Sequence, residues 1–181
     1  GEIEWSADIL SAYMGSYAEP INADEDSALE TVLVVGNWQN STVLINDSDG
    51  TLIRSFDVPA GNAGVPAIAD FDGDGQDEIA VSGIGFVSIH ELSGQEIWRA
   101  ETIDERGLKG VTAADLDGNG IAELVLADEA SIRIFSGLDG TVLFEDQEHQ
   151  STAFSFSRPL LADLDSDGLQ DLDGQIQFSL L

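Results

Sequence analysis

The sequence contains no cysteine and very few basic residues. Its 181 residues include 6 Lys and Arg against 35 Asp and Glu, for a formal net charge of −29. Nucleic acids and anionic membranes bind basic surfaces, so the composition predicts that neither is a partner. A cysteine-free domain has no disulfides and needs another source of stability, of which bound metal ions are one. Cations are therefore the expected partners.

Long apolar runs are also absent. No segment approaches the length of a membrane span, which predicts no direct membrane insertion. The chain opens with GEIEWSAD, which has no initiator Met and no basic signal-peptide region, and we interpret it as a mature or excised segment. A hydrophobic content of 43% is sufficient for a packed core, and the length predicts one domain over residues 1–181.

The chain contains four copies of one acidic motif. We call them acidic loops 1 to 4, and they occupy residues 22–30 (NADEDSALE), 70–78 (DFDGDGQDE), 115–123 (DLDGNGIAE) and 163–171 (DLDSDGLQD). Their first residues lie 48, 45 and 48 positions apart. A repeat of about 45 residues indicates an array of similar structural units.

The segments around the motifs have the pattern of short β-strands. STVLIN, FVSIHEL and SIRIFS alternate apolar and polar residues, and a glycine turn followed by an apolar or aromatic strand recurs in DGTLIRSF, SGQEIWRA and DGTVLFED. We therefore predict an all-β fold, a β-propeller of four repeats with four antiparallel strands per blade. The segment Gly1–Ser6 matches the last strand of a unit and is expected to close the ring against the C-terminal segment. The alternatives are a four-blade segment of a larger propeller and a dimeric eight-blade ring formed by strand exchange.

The acidic loops have the chemistry of a calcium site. Side chains at offsets 0, 2 and 4 of a tight loop point to a common centre, the carbonyl at offset 6 can turn inward, and an acid at offset 8 completes the shell. Glycines at offsets 3 and 5 allow a positive φ. The predicted ligands are Asp70, Asp72, Asp74, Gln76 and Glu78; Asp115, Asp117, Asn119, Ile121 and Glu123; and Asp163, Asp165, Asp167, Leu169 and Asp171.

Acidic loop 1 is predicted to be the weakest site, or empty. Its candidate ligands are Asn22, Asp24, Asp26, Ala28 and Glu30. The neutral Asn22 removes a charge, and Glu25 and Ser27 replace the two glycines, so the backbone must curve without their conformational freedom. We therefore expect about three strong calcium sites and a weak or empty fourth.

The pattern D-x-D-G-D-G-x-x-[DE]-[LI], repeated every 45 or so residues ahead of a G-x-x-x-W strand, resembles the FG-GAP/VCBS repeats of integrin α-subunits and bacterial surface proteins. The resemblance covers nearly the whole chain. It implies a β-propeller with calcium in the blade loops, the carboxylate ligands named above, extracellular or cell-surface location, and adhesion or ligand binding. The chain departs from the family in having four repeats where seven blades are usual.

The sequence offers no catalytic motif. It has no Ser/His/Asp set in a nucleophile context and no phosphate-binding glycine loop, which predicts that the chain is not an enzyme. Trp38 lies in GNWQNST, an insertion that the other repeats lack, and its aromatic ring could stack on a sugar or anchor a protein. Tyr13 and Tyr17 are weaker candidates for the same ligand-binding role. His90 and His149 are expected to be surface or rim residues rather than ligands.

Three aromatic residues recur at equivalent positions of the repeats, which predicts that Trp5, Trp98 and Phe144 belong to the core. Taken together, the sequence predicts a calcium-stabilised extracellular module that recognises a glycan or a protein, as a monomer or as part of a larger surface protein. The alternatives are a propeller domain of a lyase-like, polysaccharide-active enzyme and a structural spacer in a large surface protein.

Overall fold

The computed structural model of the chain describes residues 14–24, 26–58, 61–151, 158–162 and 171–172. All regular secondary structure in these ranges is β-strand. No helix that could cross a membrane occurs among them.

The strands form consecutive antiparallel sheets in chain order. Sheet 1 contains β1 (Met14–Ile21), β2 (Glu30–Gly36), β3 (Ser41–Asn46) and β4 (Leu52–Val58). Sheet 2 contains β5 (Ala67–Ala69), β6 (Glu78–Gly83), β7 (Phe86–His90) and β8 (Glu96–Glu101). Sheet 3 contains β9 (Val111–Ala114), β10 (Glu123–Ala127), β11 (Ile132–Phe135) and β12 (Val142–Asp146), and a fourth unit contains the pair β13 (Leu161–Ala162) and β14 (Asp171–Leu172). The predicted all-β fold with four-stranded antiparallel units is therefore confirmed for three units.

Burial along the strands follows from the stacking of the sheets. In β2 and β3 buried and half-buried residues alternate, as period-2 side-chain geometry requires. Every residue of β6, β7 and β10 is buried. These central strands of sheets 2 and 3 are covered on both faces, so their polar residues, among them Glu78, His90 and Glu123, are buried as well.

A separate hydrophobic cluster fills each junction between neighbouring sheets. Val34, Val43 and Ile45 of sheet 1 pack with Ile79 and Val81 of sheet 2. Phe71, Trp98 and Phe135 belong to the cluster between sheets 2 and 3, and Leu161 packs against Val125 and Ile132 at the third junction. Each unit therefore buries its apolar surface against the next one, as expected for a repeat architecture.

The inner strands of the units lie around a common cavity. β1 contacts β5, and β5 contacts β9. The guanidinium of Arg158, just before β13, donates a hydrogen bond of 3.0 Å from Nη1 to Oε1 of Glu19 on β1, which is 139 positions away in the chain. A cavity of about 290 Å³ is lined by residues of β1, β5 and β9 together with Arg158. The first and last units are thus in direct contact.

The outermost strands contact the turns of the following units. A Cβ added to Gly94, in the β7–β8 turn, would lie 2.7 Å from Cβ of Phe56 on β4. A Cβ added to Gly140, in the β11–β12 turn, would lie 2.6 Å from the indole of Trp98 on β8. Both glycines have a positive φ, and because they lack a Cβ each turn can lie close to the aromatic side chain of the preceding sheet.

Two sequence expectations about individual side chains are wrong. Phe144 on β12 is 48% exposed rather than part of the core, because no described turn covers it as Gly94 and Gly140 cover their aromatics. His90 is 3% exposed rather than at the surface, because β7 is enclosed on both faces. This burial lowers the pKa of His90. Trp98 is buried, as predicted, and Trp5 and the strand expected at Gly1–Ser6 lie outside the described residues.

Candidate metal centres in the acidic loops

Each acidic loop joins the first and second strands of its unit and is closed by the same strand pairing. The residue before the loop pairs with the residue at offset 8, in the pairs Ile21 with Glu30, Ala69 with Glu78, Ala114 with Glu123, and Ala162 with Asp171. The loops therefore lie at equivalent places in all four units. Asp163, Asp165, Asp167 and Leu169 of acidic loop 4 lie outside the described residues.

In acidic loop 2 the first carboxylate organises the backbone. The N–H of Gly73 donates to Oδ1 of Asp70 at 2.6 Å, and that of Gly75 donates to Oδ2 at 2.9 Å. Both glycines have a positive φ, +82° and +87°. The predicted need for glycine at offsets 3 and 5 is therefore met by the observed conformation.

Acidic loop 3 has the same arrangement. The N–H groups of Gly118 and Gly120 donate to Oδ1 and Oδ2 of Asp115, each at 2.8 Å. Their φ values are 75° and 91°. Two loops with different residues at offsets 1, 4, 6 and 7 thus reach one backbone geometry, which the first carboxylate and the two glycines determine.

Three carboxylates converge in each of the three described loops, with ligand atoms within 4.8 Å of one another. The groups are Asp24, Asp26 and Glu30; Asp70, Asp72 and Glu78; and Asp115, Asp117 and Glu123. Asp74 and Asn119, at offset 4, instead accept backbone N–H bonds through Oδ1 from Gln76 and Ile121, at 2.8 and 2.7 Å. The ligand roles of these two side chains and of the carbonyls at Ala28, Gln76 and Ile121 stay predictions, as do those of the converging carboxylates.

The glutamate at offset 8 is buried in every described loop, which the sequence pattern did not predict. Glu30 and Glu78 are 1% exposed and Glu123 is 5% exposed. Oε2 of each accepts a hydrogen bond from the backbone N–H at offset 1, at 2.6, 2.8 and 2.8 Å, from Ala23, Phe71 and Leu116 respectively. The only sign of this burial in the sequence is that the glutamate is the first residue of an otherwise mainly apolar strand.

Buried glutamates among other acids are electrostatically unfavourable without a cation. Burial raises the pKa of Glu78 to about 7. The charges of Asp72, Glu91 and Asp70 also raise this pKa, whereas the hydrogen bond from the N–H of Phe71 lowers it. Burial likewise raises the pKa of Glu123, with contributions from Asp117 and Asp115. A divalent cation in each group would offset this repulsion and favour the ionised carboxylates.

Acidic loop 1 forms its group in a different way. Asn22 replaces the organising carboxylate, and the described non-glycine residues with a positive φ are Asn62 and Leu108, so Ser27 does not adopt the φ of Gly75 or Gly120. The strain that the sequence predicted at this position is therefore absent, because the loop follows another path. Glu25 lies outside the described residues. The buried Oε1 of Glu30 has no hydrogen-bond partner among the described residues.

The donor sets fit a hard divalent cation. Three carboxylates within 4.8 Å, one of them from a buried glutamate, offer the oxygen ligands that Ca²⁺ prefers, and Ca²⁺ accepts irregular geometry. The unpartnered Oε1 of Glu30 is a buried acceptor that a cation would satisfy. Acidic loops 2 and 3 add a backbone that is already curved around the carboxylates.

The aromatic residues predicted to bind a ligand differ in how exposed they are. Trp38 is 50% exposed in the β2–β3 turn, where Oδ1 of Asn37 accepts the N–H of Gln39 at 2.8 Å and so fixes the turn. Tyr17 is partly buried on β1, and burial raises its pKa. Tyr13 lies outside the described residues. Trp38 is thus the one of these with an exposed ring in the part of the chain that the structure describes.

Known proteins support the repeat assignment. Residues 94–172 match the model of the FG-GAP-like repeat family, which confirms the predicted resemblance over that part of the chain. The match includes acidic loop 3 and the strands of the fourth unit. No curated protein sequence matches the chain.

The fold is similar to that of a solved bacterial structure. The crystal structure of the V. cholerae biofilm matrix protein Bap1 aligns with a TM-score of 0.63 and 12% identity, over 84% of this chain and 52% of that one. A Bacteroides caccae protein of unknown function aligns with a TM-score of 0.45 and 14% identity, over 74% of this chain and 46% of that one. The chain therefore spans about half the length of these proteins. The class of protein that emerges is an all-β array of four-stranded antiparallel units, which resembles FG-GAP-like repeats over residues 94–172.

Proposed function

We propose that this chain is a calcium-binding module of FG-GAP-like repeats in a secreted or cell-surface protein. The observation that carries the proposal is the convergence of three carboxylates in each described acidic loop, one of them from a buried glutamate. The same strand pairing closes acidic loop 4, whose sequence supplies four Asp at offsets 0, 2, 4 and 8. Calcium in these loops would stabilise a chain that has no disulfides.

Calorimetric titration of the calcium-free protein with CaCl₂ tests this proposal. We expect about three sites with dissociation constants of roughly 10⁻⁴–10⁻³ M, the range of extracellular calcium modules, and a weaker or undetectable fourth in acidic loop 1. Magnesium is the matched control, because its strict octahedral preference should make it bind these irregular carboxylate groups more weakly. The absence of calcium binding at millimolar concentration would reject the proposal.

We further propose that the four units form a closed four-blade propeller. The Arg158–Glu19 contact between the first and last units and the cavity surrounded by the inner strands support closure within one chain. The predicted outer strand of the fourth unit is Gly1–Ser6. Sedimentation equilibrium should then give the 19.2 kDa of a monomer. A stable dimer would instead favour the eight-blade ring formed by strand exchange.

The biological role that we propose is adhesion or recognition of a glycan or protein, without catalysis. The exposed Trp38 on a turn fixed by Asn37 supports this role, since a rigid exposed aromatic is a common anchor for sugars and proteins. The fold of a biofilm matrix protein is consistent with such a role but, at 12% identity, does not determine it.

A glycan array with the calcium-loaded protein tests the recognition role. If a ligand is found, Trp38→Ala should weaken its binding by about tenfold or more while the melting temperature stays nearly unchanged. The matched control is Leu138→Ala, which truncates a side chain of similar exposure (55%) in another turn. Equal losses in both variants, or a large loss of stability in Trp38→Ala, would argue against Trp38 as an anchor. Turnover of an acidic polysaccharide would instead support the lyase-like alternative.

A further inference from the structure

Lys109 is the only lysine of the chain, and it is buried. It lies in the connection between β8 and β9, and its side chain is 0% exposed. Its Nζ donates a hydrogen bond to Oγ of Ser151 at 3.0 Å and lies 3.6 Å from Oε1 of Glu129, in the β10–β11 turn. Lysine is rarely buried this completely. Both Lys109 and Glu129 lie outside the acidic loops, so the calcium proposal does not account for them.

The backbone of Lys109 is held in a close fit. The hydroxyl of Ser82 donates a hydrogen bond to the carbonyl of Lys109. A Cβ added to Gly64 would lie 1.7 Å from that carbonyl oxygen, so the connection passes directly over this glycine. Leu108, the preceding residue, has a φ of 77°. A non-glycine residue keeps such a conformation only where the surrounding structure imposes it. The position of the lysine side chain is therefore determined by the fold.

The carboxylate of Glu129 is also enclosed. Both of its oxygens are buried, and neither has a hydrogen-bond partner among the described residues. The neighbouring Asp128 accepts the N–H groups of Ala130 and Ser131 through Oδ1, at 2.9 and 3.0 Å, which holds the turn. An ion pair that is removed from water and has few hydrogen bonds is costly in its charged form.

The surroundings of Glu129 favour a carboxylic acid over a carboxylate. Burial raises the pKa of Glu129 and the charge of Asp104 raises it further, whereas the charge of Lys109 lowers it. Asp104 is itself buried, and its Oδ2 has no hydrogen-bond partner among the described residues. Transfer of one proton within the pair would place a carboxylic acid beside an uncharged amine, which is the nucleophilic form of lysine.

We propose that Lys109 and Glu129 condense to an intramolecular amide bond. One proton of the Lys109 ammonium passes to the carboxylate of Glu129. The nitrogen lone pair then attacks Cδ of Glu129, and a C–N bond forms. A C–O bond breaks, and the hydroxyl leaves as water together with a second proton from the nitrogen. The reaction releases one water and requires no oxidant, cofactor or further reactant.

Two features of the structure favour this condensation. The fixed backbones hold the amine and the carboxyl together, which makes the reaction intramolecular. Burial excludes the water that would hydrolyse the product. The bond would join the connection after sheet 2 to a turn of sheet 3, as a covalent link between two units of a chain without cysteine. It involves no calcium, so its failure and the failure of the calcium proposal are separate outcomes.

Mass spectrometry of the purified wild-type protein tests this proposal. We expect an intact mass about 18 Da below the mass of the sequence, which is the loss of one water. Trypsin cleaves after lysine and arginine, but not after a lysine whose Nζ forms an amide. It should therefore release residues 107–133 as one peptide, and the fragment spectrum should place the link between Lys109 and Glu129. An unlinked chain would give residues 107–109 and 110–133 as separate peptides.

Lys109→Arg is the matched control, because it keeps the positive charge but has no nucleophilic amine. It should have the full mass of its sequence. This variant also separates the proposed bond from cyclisation at the Asp-Gly pairs of the chain, which loses water without Lys109. Glu129→Ala is a second unlinked control, and the wild-type peptide map decides even if neither variant folds. The proposal is overturned if the wild-type protein has its full sequence mass, if trypsin cleaves after Lys109, if the loss of water persists in Lys109→Arg, or if the fragments place the link at Asp104.

Discussion

Acidic loops 1 and 2 both place three carboxylates within 4.8 Å of one another, but different offsets supply them. Acidic loop 2 uses offsets 0, 2 and 8, and acidic loop 1 uses offsets 2, 4 and 8. The two loops share the strand pairing at offset 8 and the hydrogen bond from the backbone at offset 1 to the buried glutamate. The glutamate and the strands therefore fix the base of the site, whatever the rest of the loop does.

The difference lies in how the remaining carboxylates are held. In acidic loop 2 the two oxygens of Asp70 accept N–H groups from Gly73 and Gly75, and both glycines have a positive φ. Acidic loop 1 has Asn22 and Ser27 at the corresponding offsets 0 and 5. Within the described part of the chain, its Asp24 and Asp26 accept local N–H bonds from the residues two positions on, at 2.8 and 2.6 Å. A carboxylate group can thus form in both loops, but acidic loop 2 is better preorganised for a cation.

Removal of calcium is expected to have the largest effect on the stability of the fold. It acts by removing ions from the preorganised loops. At about 100 times the dissociation constant each occupied site stabilises the fold by about 2.7 kcal/mol, so three sites contribute roughly 8 kcal/mol. For a domain of this size the melting temperature should fall by about 15–30 °C in EDTA, or the chain should unfold. Differential scanning calorimetry in EDTA and in millimolar CaCl₂ measures the effect, and excess MgCl₂ is the control for ionic strength. An unchanged melting temperature in EDTA would contradict the proposed role of calcium.

Removal of one carboxylate charge should lower calcium-dependent stability by different amounts in the two loops. Asp70→Asn removes a ligand and one of the two acceptors that hold the glycines, and we expect it to abolish one strong site at a cost of about 2.7 kcal/mol in calcium. Asp24→Asn removes a ligand from the less organised group and should cost less than about 1 kcal/mol. Calorimetric titration counts the sites, and thermal melting in calcium measures the stability.

The control for this pair is the same melting experiment in EDTA. Without calcium, the difference between Asp70→Asn and Asp24→Asn should largely disappear, because it arises from the bound ion. A larger loss in Asp24→Asn than in Asp70→Asn, in calcium, would reverse the predicted order of the sites.

The sequence predicts the local features of these loops well, for a physical reason. The positive φ of Gly73, Gly75, Gly118 and Gly120 and the position of each loop between two strands depend on nearby residues alone. Repetition then makes the pattern unambiguous, and it also predicts the four-stranded antiparallel units.

Features that depend on neighbouring units could not be predicted in this way. The exposure of Phe144 depends on whether a turn of the next unit covers it, and the burial of His90 depends on the position of sheet 2 between two others. The Arg158–Glu19 contact likewise joins residues of different units. No spacing within one repeat encodes such contacts, because they arise from how the units are stacked.

The smallest expected effect isolates backbone conformation from charge. A Cβ at Gly75 would meet no atom within 4 Å, so Gly75→Ala adds no steric contact and tests only the cost of φ +87° for a non-glycine residue. That cost is about 1–2 kcal/mol. We expect Gly75→Ala to lower stability by this amount and to weaken calcium binding in acidic loop 2 by up to about tenfold, since the strained loop must still close around the ion.

Ser27→Ala is the matched control at offset 5 of acidic loop 1, where φ is not positive. It should leave melting and titration curves unchanged. Equal effects of the two substitutions would show that acidic loop 2 does not depend on its glycine conformation, and that the two loops differ in charge alone.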